Sequence, residues 1–276
     1  MKQVFLTIVK RFFTERFFDQ AAMLAYYFIL STFPFLLFVL GIVGFLPFTS
    51  GDVIQALSLI MPEASYRLLQ GNIEAIFDNS KLKLASFSIL PALWISSMAV
   101  QSLVRALNDA YRVVRHKAFW RGLIQDIAIT LALMFVLPFS LLVPLIETAL
   151  RELSSYVLFI DEIVTDYAQI WFYFRWIVGS SLLFTVFVFV YKWLPSVSGT
   201  FKNSWSGAAF ATLGILIVSN VFSYYSQFAN YEQFYGQLGA FIVLLIWFYL
   251  AATVILLGGL LNATLMERKE KTSLDV

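Results

Sequence analysis

The chain of 276 residues has no cysteine, a single histidine, and charge on only 13% of its positions. The first absence excludes disulfides, thiolate nucleophiles, cysteine-ligated zinc and iron–sulfur clusters. The second leaves His116 alone in the basic run Arg115-His116-Lys117. It reads there as a solvated loop residue, because a metal centre needs several converging ligands. The scarcity of charge excludes an ordinary soluble domain, which carries about 25% Asp, Glu, Lys and Arg. A glycine-lysine phosphate loop is missing too, which argues against nucleotide hydrolysis. From these absences we expect no metal, no cofactor and no enzymatic activity.

What is present is apolar. Hydrophobic residues make up 60% of the chain, and the mean hydropathy is +0.80. Six runs stand out, at 22–46, 84–105, 127–146, 170–192, 204–226 and 238–261. Each has about 20 residues or more, enough at ~1.5 Å per residue to cross a ~30 Å hydrocarbon core. The expected fold is an all-α polytopic membrane protein with six transmembrane helices, forming a single membrane domain over 1–276. Prolines at 34, 91, 138 and 144 are expected to kink the first three spans.

Threading six spans through a bilayer sorts the charges. Of 19 Lys and Arg, 14 fall on one side: four before the first span, five from Arg105 to Arg121, Lys192 and Lys202, and three after the sixth. The other side has Arg67, Lys81, Lys83 and Arg151, while Arg175 is left inside a span. Basic residues are retained in the cytoplasm, so the asymmetry predicts cytoplasmic N- and C-termini, with 262–276 as an inner tail. It accounts for the pI of 8.7 without nucleic acid as a partner; anionic lipid headgroups are the expected partner of the inner face.

Segments outside the spans carry their own periodicity. Residues 1–20 place Phe5, Val9, Phe12, Phe13 and Phe17 at helical spacing, with Lys10, Arg11, Thr14 and Glu15 between them. This predicts an amphipathic helix at the inner membrane interface, serving as a structural collar or a contact to the bundle. The first outer loop, 52–78, reads as short amphipathic helices, and the second, 147–169, is acidic. Gly207/Ala211 and Gly259/Ala263 are small-residue pairs that permit close helix approach.

Candidate binding residues are few. Arg175 is the one formal charge inside the core of any span, and it either snorkels to the outer headgroups or grips an anionic group. Asn220, Tyr224 and Gln227 share one face of span five at similar depth. They either join that pocket or hydrogen-bond between helices. Ser97, Gln101, Arg105 and Asn108 form a polar stripe at the inner end of span two, with Asp109 placed to pair with Arg105. The stripe lines a cytoplasmic cavity or is the ordinary polar end of a span. No carboxylate lies in the middle of any span, which disfavours a proton relay.

The last third reads Phe234-Tyr235-Gly236-Gln237-Leu238-Gly239-Ala240, then Leu244-Leu245-Ile246-Trp247-Phe248-Tyr249, and closes on Leu261-Asn262-Ala263. Upstream are Asp19-Gln20-Ala21-Ala22, Tyr26-Tyr27, Ser31-Thr32-Phe33-Pro34, Asn108-Asp109-Ala110-Tyr111 and Leu194-Pro195. Together these motifs resemble the YihY/BrkB family of bacterial membrane proteins. The resemblance implies a six-span protein of the bacterial cytoplasmic membrane. Its motif positions here are Asp19, Tyr26, Tyr27, Pro34, Tyr111, Pro195, Tyr235, Gly236, Gly239 and Asn262. Many members carry an acidic residue two positions before the Asn-Ala pair, where this chain has Leu260. A transporter or flippase-like protein for a lipid, lipid-linked or other amphipathic anionic substrate is the leading expectation. A non-transporting scaffold for envelope-synthesis or division proteins is the alternative. A membrane ribonuclease, a label used for some members, comes third, since one histidine and scattered bases assemble no acid–base site.

Overall fold

A backbone in hydrocarbon must satisfy its own hydrogen bonds, so apolar runs of this length fold as helices. The computed structural model describes residues 2–43, 51, 54, 81–114, 120, 122–133, 158–197, 201–228 and 237–274. Among these, every extended element is helical and none is a strand. The helices are α1 (Lys2–Thr14), α2 (Phe17–Val43), α3 (Lys81–Ala110), α4 (Gly122–Leu133), α5 (Leu158–Trp193), α6 (Phe201–Phe228) and α7 (Gln237–Leu274). Within the described residues, Trp176–Trp193, Asn203–Tyr225 and Phe241–Lys269 are long and apolar enough to cross a membrane. On α6 the exposed side chains include Phe210, Leu213, Ile217 and Val221. Such a face is stable in lipid and not in water.

Pro34 and Pro91 lie inside α2 and α3 without ending either helix. Pro138 and Pro144, and the first outer loop apart from 51 and 54, are outside the described residues. The acidic loop is described from Leu158 onward, where α5 has already begun, twelve residues ahead of the expected span.

The chain divides into two compact units. One comprises Met1–Ser31, Ile95–Ala128 and Leu183–Val276. Its centre is the last four turns of α3, where Ala99, Leu103, Val104, Ala106, Leu107 and Ala110 are buried around most of the helix circumference. Among the described residues, α6 and α7 pack closely. A Cβ on Gly207 would collide with the Gly258 carbonyl and the Asn262 side chain, and one on Gly214 would stand 2.6 Å from Val254 Cγ1. One on Gly259 would stand 2.5 Å from Leu107 Cδ2 of α3. Small residues thus bring three backbones together, as packing in lipid favours.

The other unit comprises Thr32–Trp94 and Ile129–Leu182. On its part of α5, Trp176 and Ile177 are exposed, and Ser180 Oγ donates to the Trp176 carbonyl at 2.7 Å. Gly179 has open space where its Cβ would be.

The N-terminal helix departs from its two-faced expectation. Phe12 is buried beside Ile8, and Phe17 is buried in the next helix, α2. Phe5, Leu6, Val9 and Phe13 form a separate exposed apolar face, and Gln3, Thr7, Lys10 and Thr14 an exposed polar one. Three faces suit a helix lying where protein, lipid and water meet. The turn to α2 comes at Arg16, whose φ of 58° is left-handed.

Candidate functional site

Arg11, expected among the polar residues of an interfacial helix, is only 4% exposed. Its guanidinium donates to Glu15 at 2.9–3.0 Å, to Glu267 of α7 at 3.4 Å, and to the Ala110 carbonyl at the end of α3 at 2.7 Å. Arg112 adds a bond to Glu15 at 2.8 Å. A cation on the last carbonyls of α3 also complements that helix dipole. Burial alone would raise the Glu15 carboxyl, but the two guanidinium groups outweigh it and hold Glu15 below the usual carboxylate range. Arg112 is correspondingly raised, chiefly by its hydrogen bond to Glu15.

The end of α3 is closed by a Schellman turn. Val113 N–H donates to the Asn108 carbonyl and Arg112 N–H to that of Asp109, both at 3.0 Å. Arg112 takes the left-handed position, φ 55°, which glycine usually fills. Next to it, burial pushes the Tyr111 phenol up to about 12, so it stays neutral near pH 7.

Two asparagines tie elements together. Asn108 Oδ1 accepts from Ser196 N–H at 2.7 Å, beside buried Pro195, joining α3 to the chain after α5. Asn262, 1% exposed, accepts from Gly207 N–H at 2.7 Å and donates to the Ser204 carbonyl at 3.2 Å. Its amide bridges two backbone groups of α6. Tyr191 of α5 lies against Gly258 and donates to the Ile255 carbonyl of α7 at 2.7 Å.

The predicted polar stripe of α3 therefore splits. Ser97 and Asn108 are buried, while Gln101, Arg105 and Asp109 follow one another at four-residue spacing along the more open side. Gln101 donates to Ser97 at 3.0 Å. Asp109 does not pair with Arg105; it accepts from Gln20 of α2 at 2.9 Å. Arg105 is exposed and makes no hydrogen bond or ion pair among the described residues. On α2, one turn or more beyond the Gln20 that meets Asp109, Met23, Tyr26 and Leu30 are exposed.

The remaining candidates are dispersed. Asn220 is exposed and donates to the Leu216 carbonyl of its own helix at 2.7 Å. Tyr224 is exposed. Arg175 lies in α5, and its side chain, like that of Gln227, is outside the described residues. Asp19 pairs with Arg16 at 2.6 Å, Tyr26 and Tyr27 meet edge to face at 5.5 Å, and Gly239 is buried. Tyr235, Gly236 and His116 are outside the described residues. Among the described residues, no three His, Asp or Glu side chains could jointly hold a metal.

The sequence pattern of the virulence factor BrkB family matches residues 8–275. A ribonuclease-like protein of Bacillus subtilis, YfkH, is 36% identical over 253 residues, 91% of each chain. UPF0761 membrane proteins of Glaesserella parasuis and Chromohalobacter salexigens are 27% and 26% identical, over 70% and 95% of this chain. The matched stretches span 65% and 63% of those two longer relatives. No solved structure matches.

Proposed function

Since the chain belongs to the virulence factor BrkB family, whose UPF0761 relatives are membrane proteins, we propose that it is a six-span protein of the bacterial cytoplasmic membrane. Both termini face the cytoplasm, and it works as a transporter or flippase-like protein for a lipid, lipid-linked or amphipathic anionic substrate. The observation that carries this reading is Arg105. It is an exposed cation without a partner among the described residues, set among the buried Leu103, Val104, Ala106 and Leu107 of α3. An unpaired guanidinium near hydrocarbon is costly unless it meets an anion, and it grips phosphate or carboxylate with two parallel bonds. Gln101 and Asp109 extend the polar path on either side of it. Exposed Met23, Tyr26 and Leu30 on α2 offer the tails an apolar bank.

The reading contains no catalytic chemistry. The ribonuclease-like name belongs to YfkH. RNA cleavage needs positioned acid–base groups or metal ligands, and the polar strip of α3 supplies binding groups only.

The test is lipid movement in proteoliposomes containing the purified protein, followed with fluorescent phospholipids and a membrane-impermeant quencher. Transfer should exceed that of empty vesicles, and Arg105→Gln should slow it about tenfold, the worth of one charge-assisted hydrogen bond. Transfer equal to empty vesicles for every lipid class overturns the proposal.

A further inference from the structure

Arg105 and Asp109 are one helical turn apart, a spacing at which opposite charges ordinarily meet. Here they do not. Gln20 of α2 holds the Asp109 carboxylate at 2.9 Å, and Arg105 extends alone. Both are exposed, on the same strip of α3. The strip thus presents a free cation and a carboxylate that accepts a single neutral hydrogen bond, about 5–6 Å apart at their Cβ atoms.

An anion alone would fit this poorly. A free phosphate or a purely anionic headgroup bound at Arg105 would feel the Asp109 charge one turn away. A headgroup with a phosphate and an ammonium joined by a two-carbon bridge matches both charges, in the order the helix presents them. We propose that this strip is a headgroup site for a zwitterionic aminophospholipid of the ethanolamine type. Arg105 grips the phosphate and Asp109 accepts from the ammonium. A primary ammonium suits the carboxylate because it has three N–H donors, which a quaternary choline lacks. Gln20 acts as a positioning residue: its amide turns the carboxylate away from Arg105 and leaves the remaining lone pairs to the ligand. The acyl chains lie along the exposed Met23, Tyr26 and Leu30 of α2.

This inference rests on the lipid reading of the same strip, but its test does not depend on transport. Delipidated full-length protein is exposed to equimolar phosphatidylethanolamine, phosphatidylcholine and phosphatidylglycerol, and bound lipids are counted by native mass spectrometry. Phosphatidylethanolamine should be retained about fivefold over either competitor, the scale of one exposed ion pair. Asp109→Asn, isosteric and still able to accept from Gln20, should remove that preference and move it toward phosphatidylglycerol. Arg105→Gln should lower binding of all phosphate headgroups, and it gives the answer if the Asp109 variant does not fold. Preference for phosphatidylglycerol in the unaltered protein, or the same lipid profile in the protein and both variants, overturns the proposal. A headgroup preference that follows Asp109 without any lipid transfer would remove the transporter reading and leave the site standing. Transfer with a headgroup selection indifferent to Asp109 would do the reverse.

Discussion

Arg11 shows what one side chain contributes when it is placed between three elements. It satisfies Glu15, Glu267 and the Ala110 carbonyl at once. Arg11→Ala therefore leaves Glu15 with Arg112 alone and takes the guanidinium from Glu267 and the Ala110 carbonyl, and should cost about 2 kcal/mol, the scale of a buried acceptor losing a charged donor. Hydrogen exchange along α1 is the readout, and protection equal to that of the unaltered protein would refute the assignment. Acid should act the same way. The Glu15 carboxyl is depressed in the folded protein, so its contribution is complete above the unfolded value near 4.5 and is lost as pH falls through the lower folded one. Docking of α1 should therefore be flat around neutrality. None of this was legible at Arg11 in the sequence, because helical periodicity shows that a helix has faces and not which one meets protein. Asn262 was visible as a motif position, but its bond to Gly207 spans 55 residues and leaves no local trace. Asn220 makes its bond within its own helix, to the Leu216 carbonyl.

Among the elements, α6 and α7 depend on missing side chains. Gly207→Ala would drive a methyl group into the Gly258 carbonyl and Asn262, destabilising the protein by about 2 kcal/mol through overpacking. Gly179→Ala on α5 meets nothing within 4 Å and should gain up to about 1 kcal/mol from helix propensity. Denaturant titration of the two variants in detergent should give opposite signs; the same sign would mean that the close approach of α6 and α7 is not what Gly207 secures. The three described helices long and apolar enough to cross a membrane were readable from hydropathy, because in lipid an apolar run has one way to satisfy its backbone. Their ends were less so. The division between α1 and α2 falls at Arg16, a left-handed arginine where sequence rules look for glycine, and a single interfacial helix over 1–20 was expected instead. The α3 stripe was seen, but which members are buried was decided by neighbours that share no sequence with it.

At the scale of the whole molecule, orientation is the proposal most open to direct measurement. A chain without cysteine takes single reporters cleanly. Ser65→Cys should react with a membrane-impermeant maleimide in intact cells, whereas Lys10→Cys and Lys271→Cys should react only after permeabilisation. Labelling of Lys10→Cys from outside would invert the assigned topology. The arrangement around Arg11 also sets an order of events during synthesis. The ribosome delivers α1 first, yet the surface that receives it includes Glu267, 256 residues further along the chain. Until α7 is made and inserted, the Arg11 seat is incomplete and the apolar face of α1 has only the bilayer surface to rest on. Docking of the first helix thus reports that the last one has arrived, and a chain interrupted before α7 would present an undocked N-terminus to the proteases of the membrane.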